Sequence, residues 1–225
     1  MTQTEALSRL RNKVNESGTG FYTDAQLYQM LDSGQNAVIL HFLGYEKRIR
    51  ALQRRPEDAH YRSYVLACLI TLDPSNTTST STPKYNLPTG YIESYRAAYN
   101  NIGSGPLYEA TYLSASEATW REKNAYMKTT ATLNASFHAE YPVYYTEGTK
   151  LVFLPFPSGQ GANMYEHWYY KTPTAVASGQ PFTLEEYTHE AIIEYAHRVA
   201  REMDGQSGIQ QQELFGLMLK KLEDG

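Results

Sequence analysis

Leu7, Leu10 and Val14 recur at helical steps behind Thr2 and Glu5, whose three-residue spacing is that of a capping box, so the chain opens on a short amphipathic helix. Ser17, Gly18, Thr19 and Gly20 end it. Thr23 then offers an N-cap, Gln26 completes a second capping box, and Tyr22 is placed to staple onto Leu27. Leu27, Leu31, Val38, Phe42, Tyr45, Ile49 and Leu52 follow at steps of three, four or seven. If Gly34 and Gly44 only weaken this helix, it runs to about residue 54, a strut of roughly 40 Å at 1.5 Å per residue.

Pro56 stops the strut or opens a third segment, in which Tyr61, Tyr64, Val65, Cys68, Leu69 and Leu72 fit a helical period, although the run from Tyr64 to Leu72 also reads as a buried strand. Residues 73–84 form a Ser/Thr-rich loop between Pro74 and Pro83, too polar for a core and able to reach about 40 Å. From Tyr85 the pattern changes to short aromatic runs bounded by Gly and Pro: Tyr85 to Tyr95, Leu107 to Leu113, Val143 to Tyr145, Leu151 to Phe156 and Met164 to Tyr170. A helix is expected after Ser114, capped by Ser114 and Glu117, and Gly148 marks a hairpin turn. The run at 165–170 alternates Tyr165–His167–Tyr169 with Glu166–Trp168–Tyr170 and is apolar on both faces, as a central strand or one that meets a partner would be.

The chain ends on helices. Thr183 and Glu186 have capping-box spacing, and Leu184, Tyr187, Ala191, Ile192, Tyr195, Val199 and Met203 form one stripe that Gly205 stops. A last helix follows, with Ile209, Leu214, Phe215, Met218 and Leu222 as its apolar set. The fold class is therefore α+β: residues 1–72 and 177–225 make a helical part around a β-rich aromatic region at 85–176.

Composition adjusts this picture in a few places. No run approaches the roughly 20 apolar residues of a membrane helix, and the first ten residues lack the apolar stretch of a signal peptide, so a soluble protein of a cytoplasm-like compartment is expected. On that expectation the glycosylation patterns at Asn76 and Asn134 carry no weight. A formal net charge of −4 argues against a protein built to grip phosphates, and the cluster Lys47, Arg48, Arg50, Arg54 and Arg55 reads as a solvated or partner-docking helix face. The 20 tyrosines suit strands packed on one side, or surfaces that become interfaces. The lone cysteine, Cys68, excludes an intrachain disulfide and reads as a small buried hydrophobe.

The candidate chemistry does not assemble. His189, Glu190, Glu194 and His197 come nearest to a metal motif, but the zinc-protease spacing requires a second histidine where Ile193 stands, and the two histidines lie about 12 Å apart along a helix. Ser158, Gly159, Gln160 and Gly161 lack the Lys-Ser or Lys-Thr helix of a phosphate cradle. Ser114 to Ser116 lack a nucleophile elbow. The pairs Glu185–Glu186 and Glu223–Asp224 sit at helix ends, where dipole effects and solubility account for them.

Three stretches carry a resemblance: FYTDAQLYQMLDSGQNAV at 21–38, YNLPTGYI at 85–92, and the C-terminal half, where KLVFLPFP at 150–157 precedes YEHWYYKTPTAV at 165–176 and FTLEEYTHEAIIEYAHRVAREMDG at 182–205. In pattern and order they resemble the head-to-tail adaptor (connector) proteins of tailed bacteriophages. Residues 73–84 and 100–139 have no counterpart in that resemblance. It implies a structural virion protein made in the host cytoplasm and seated at the head-tail junction. It further implies a ring, twelvefold in that family, that binds the portal protein on one side and a tail or nozzle protein on the other. DNA passes through such a ring without specific binding, and there is no membrane contact, cofactor, metal or catalytic residue. By the same analogy the last helix is the portal-docking candidate, through Ile209, Leu214, Phe215, Met218 and Leu222. A carbohydrate-binding or tail-hub module is the alternative suggested by the aromatic middle, and a glycan hydrolase using Trp120 or Trp168 with a pair of carboxylates is a third reading.

Overall fold

The computed structural model describes residues 1–14, 21–52, 64–73, 84–100, 106–114, 116–117, 142–154 and 165–224. Trp120, Asn76, Asn134, Arg54, Arg55, the turn at 158–161 and the helix expected beyond residue 117 lie outside them. The protein is a mixed α+β structure of two compact units, one formed by Met1–Leu69 with Pro173–Gly225 and the other by Ile70–Thr172.

The first unit is helical. Helix α1 (Gln3–Lys13) begins with the expected box: the Thr2 hydroxyl accepts from the Glu5 amide, and the Glu5 carboxylate accepts from the Thr2 amide at 2.7 Å. Helix α2 (Asp24–Leu52) is 29 residues long, about 43 Å at 1.5 Å per residue, with the reciprocal Thr23–Gln26 cap in place. Leu27, Met30, Leu31, Val38, Ile39, Phe42 and Leu43 are its buried face. A 3₁₀ turn (Tyr64–Leu69) follows, so the helical period read over this segment is tighter than an α-helix and gives way to a strand at Ile70.

The return of the chain departs from expectation at its helix start. Thr183 does not cap. Its hydroxyl accepts from the Thr174 amide and its own amide donates to the Gln35 side chain, which holds it in a loop against α2. The chain makes a 3₁₀ turn (Glu186–Thr188) before helix α3 (His189–Met203) begins. The buried face of α3 consequently runs through Ile192, Ile193, Ala196 and Ala200, while Tyr187 and Met203 of the expected stripe are exposed. Gly205, at φ 71°, ends α3 in a Schellman arrangement: the Gln206 amide donates to the Arg201 carbonyl and the Gly205 amide to that of Glu202. Helix α4 (Ile209–Asp224) completes the unit.

Two ion pairs set the direction of α1 against α3. Arg9 meets Glu190 and Lys13 meets Glu194, four residues apart on each helix and advancing together, so the two helices run side by side in the same sense. Tyr22, expected as a staple for α2, reaches across to α3. Its phenol donates to the Ala200 carbonyl at 2.9 Å and lies 2.5 Å from the Asp204 carboxylate, at the end of α3.

The second unit is a seven-stranded sheet: β1 (Ile70–Leu72), β2 (Lys84–Asn86), β3 (Tyr91–Tyr99), β4 (Tyr108–Tyr112), β5 (Val143–Glu147), β6 (Lys150–Leu154) and β7 (Tyr165–Lys171). Its order is β1-β7-β3-β4-β5-β6-β2, antiparallel except for the parallel β4–β5 pair. The run read as one strand from Tyr85 to Tyr95 is two, because Pro88 and Gly90 (φ 78°) make a turn closed by the Tyr91 amide on the Pro88 carbonyl. The β5–β6 hairpin turns at Gly148 (φ 59°), and β7 is hydrogen-bonded on both sides as a central strand, with Tyr165, His167 and Tyr169 buried on one face while on the other Tyr170 is buried, Trp168 half-buried and Glu166 exposed.

The sheet curls on itself. Tyr85 on edge strand β2 lies 4.6 Å, ring to ring, from Tyr165 on β7, five places away in the order. Tyr99 stacks on Phe153 at 4.7 Å. Tyr85, Tyr99, Tyr144, Phe153 and Tyr165 thus fill one aromatic core with Ala97, Ala110 and Leu151, while Leu113, Val143, Tyr145, Val152 and Leu154 pack on the other face. Desolvation raises the Tyr85 phenol to about 12 and pushes Tyr99 higher still.

Candidate functional site

Helix α4 carries the residues singled out for docking, and the structure divides them between its two sides. Leu219 and Gln211 are buried. The Phe215 ring meets Tyr195 of α3 edge-on at 5.1 Å, and Met218 and Leu222 are half-buried. The last turn is pinned: the Tyr64 phenol donates to the Leu222 carbonyl at 2.7 Å, and Glu223 pairs with His41 of α2 at 2.7 Å. Ile209 and Leu214 are on the other side, 64% and 45% exposed. Leu217, absent from the sequence reading, is 65% exposed beside them. Its three-residue step from Leu214 was the available signal.

The polar residues of α3 have structural employment. His189 is buried against the Phe182 ring, its Nε2 hydrogen-bonded to the Leu184 carbonyl at 2.9 Å, and burial lowers its pKa. Glu190 is an exposed partner of Arg9. Glu194 is buried and held by the Lys13 ammonium at 2.6 Å, with His197 Nδ1 3.6 Å away. Desolvation also lowers the His197 pKa. Cys68 is exposed rather than buried. Among the described residues, no cluster of three His, Cys, Asp or Glu side chains could hold a metal ion.

The sheet brings together a set that sequence spacing gave no hint of. His167 Nε2 lies 2.9 Å from the Ser94 hydroxyl, which is 3.0 Å from the Tyr91 phenol, and His167 Nδ1 faces the Asp73 carboxylate at 3.9 Å. Serine, histidine and aspartate are the components of a hydrolytic triad. Here Ser94, His167 and Asp73 are all buried, the histidine–carboxylate distance exceeds hydrogen-bond reach, and the hydroxyl is engaged from two sides. The Asp73 amide also donates to the His167 carbonyl at 2.8 Å, so the cluster joins the end of β1 to β7 and β3. It is internal wiring of the sheet.

The described residues thus form a mixed α+β scaffold whose last helix keeps Ile209, Leu214 and Leu217 exposed. A family model described as SU10 adaptor protein matches residues 1–224, and the chain belongs to that family. It is accordingly a structural component of a phage virion that interacts with other virion proteins. No curated protein matches it.

Proposed function

We propose that this protein is the head-to-tail adaptor of its phage: a ring, twelvefold by resemblance, that sits at the head-tail junction, binds the portal protein on one side and a tail or nozzle protein on the other, and lets DNA pass without holding it. The family match over nearly the whole chain carries this reading. A closed ring needs two different faces per subunit. The α2 strut and the tyrosine-rich strands of the region 85–176 supply them, and the helical parts 1–72 and 177–225 present α4 to the portal. Its residues act as contacts, without cofactor or catalytic step. The formal charge of −4 fits a passage that does not retain phosphates.

The carbohydrate-binding alternative rested on aromatic side chains in the β-rich region. Five of these, Tyr85, Tyr99, Tyr144, Phe153 and Tyr165, are consumed by the core and offer no stacking platform for a sugar ring. The test is native mass measurement of the chain alone and mixed with the portal oligomer of the same phage. Multiple copies on one portal ring, from a chain that is a monomer or small oligomer by itself, are expected. A stable ring in dilute solution without portal counts against assembly on the portal, and a monomer that ignores portal but binds glycan overturns the adaptor reading.

A further inference from the structure

The chain passes between the two units at Leu69–Ile70 and at Thr172–Pro173, and the sheet unit fastens the two passages by different chemistry. At the second, the amide and the hydroxyl of Thr172 both donate to the Gly90 carbonyl, at 2.7 and 3.0 Å, and no charge is involved. At the first, β1 contributes only the pairs Ile70–Tyr170, Thr71–Tyr169 and Leu72–Trp168, and it is the outermost strand of the order. An edge strand this short opens easily if its ladder is all that holds it. Its far end is held by Asp73, whose amide donates to the His167 carbonyl at 2.8 Å and whose buried carboxylate faces the His167 ring.

His167 is fully buried, with the rings of Tyr91 and Tyr169 5.9 and 5.8 Å from its own. Its Nε2 lies 2.9 Å from the Ser94 hydroxyl, while Nδ1 stands 3.9 Å from Asp73 Oδ2 and has no hydrogen-bond partner among the described residues. A lone pair on Nδ1 would be aimed at a buried anion and left unsatisfied. A proton there is attracted instead, and a side-chain movement of about 1 Å completes a charge-assisted hydrogen bond. We propose that His167 carries a proton on Nδ1 and that this N–H and the Asp73 carboxylate form a latch that keeps β1 paired to β7. In the neutral ring Nε2 then accepts from Ser94, and Ser94 accepts from Tyr91. Burial raises the Tyr91 pKa, so that phenol remains a donor. Every donor along this chain of side chains is directed toward Asp73, and each bond strengthens the next. Without the Asp73 charge or the Nδ1 proton, β1 keeps only its three pairs. Its opening bares the backbone edge of β7 and adds residues 70–73 to the connection that follows Leu69.

The test uses the full chain with Asp73→Asn, His167→Gln and the two combined. Glutamine reaches the position of Nε2, so it keeps the bond to Ser94 and withdraws the donor from Asp73. Nitrogen NMR of the His167 ring in the parent is expected to show Nδ1 protonated. Hydrogen exchange resolved by segment is expected to quicken about tenfold or more at residues 70–73 in each single variant. The β5–β6 hairpin should keep its parental rate, and the combined variant should add little, because each substitution removes the same latch. A ring protonated on Nε2 with Nδ1 bare overturns the proposal. Parental exchange at residues 70–73 in both single variants also overturns it, as does an equal rise through the whole sheet, which assigns the cluster to the common core. If the variants do not fold, the ring nitrogens of the parent chain, which require no substitution, decide.

Discussion

Gly34 of α2 packs directly against the Ile192 backbone of α3: a Cβ built on Gly34 would stand 2.5 Å from the Ile192 carbonyl oxygen and 3.2 Å from its Cγ2. Carbonyl and glycine both belong to helical backbone, so the clash cannot be relieved by a side-chain rotation. Gly34→Ala gains helix propensity of about 1 kcal/mol and loses more by forcing the helices apart, for a net loss of about 1–3 kcal/mol. Gly44 is the internal control. Nothing lies within 4 Å of its would-be Cβ, so Gly44→Ala is expected to raise stability by up to about 1 kcal/mol. Denaturant unfolding of the two variants should move in opposite directions, and a Gly34→Ala protein as stable as the parent would rule out close packing at this site.

The two ion pairs between α1 and α3 are expected to differ in worth. Arg9 and Glu190 are about half exposed, and removing Arg9 should cost less than about 1 kcal/mol. Glu194 is buried, and Lys13→Met strands its carboxylate beside a lowered-pKa histidine, a loss of about 2–4 kcal/mol. Lys13→Met combined with Glu194→Met should recover most of that loss. Equal costs for Arg9→Ala and Lys13→Met in a double-mutant series would contradict the assignment.

Acid should weaken the helical unit before its carboxylates titrate. Burial holds the His189 and His197 pKa values below the ordinary histidine value of 6.5, so between the folded and unfolded values the unfolded chain binds more protons. Their contribution is complete above about pH 6.5 and declines as pH falls below it. Melting temperature is expected to drop between pH 7 and pH 5, and His189→Gln, which keeps a donor for the Leu184 carbonyl, should shallow that slope. A flat profile through this range would refute the prediction.

Phe215 meets Tyr195 of α3 and Met218 is half-buried, whereas Leu214 and Leu217 are exposed. Phe215→Ala with Met218→Ala should therefore lower the melting temperature through lost packing on Tyr195, with a cost of about 3 kcal/mol or more. Thermal unfolding with Leu214→Ser/Leu217→Ser as comparator checks this, since substitution of that exposed pair should leave the midpoint nearly unchanged.

The internal serine–histidine cluster predicts a structural phenotype. Ser94→Ala removes a buried hydroxyl from between His167 and Tyr91 and should destabilise by about 1–3 kcal/mol. A serine-reactive acylating probe should leave the folded protein unlabelled at Ser94. Stoichiometric labelling there, detected by mass spectrometry, would convert the cluster into a catalytic site.

Features governed by neighbours along the chain were legible in the sequence. The Thr2–Glu5 and Thr23–Gln26 boxes, the glycine that stops α3, the hairpin glycine at 148 and the five aromatic runs depend on backbone hydrogen bonds and φ preferences within a few residues, and residue type reveals those. The resemblance to head-to-tail adaptors rests on the order of such segments. Tertiary structure decided whatever depends on partners far away in sequence. By sequence Gly34 is only a weak point in a helix, and what gives it a role is Ile192 packed against it. Thr183 has the spacing of a cap, but Gln35 and Thr174 claim its hydrogen bonds, and His167, Ser94 and Asp73 meet only where the strands pair. The apolar set of the last helix shows the division most directly: periodicity identifies which residues are apolar, but only the position of Tyr195, Tyr64 and His41 decides that Phe215 turns inward and Leu217 outward, because a helix is cylindrically permissive and its buried side is chosen by what it packs on.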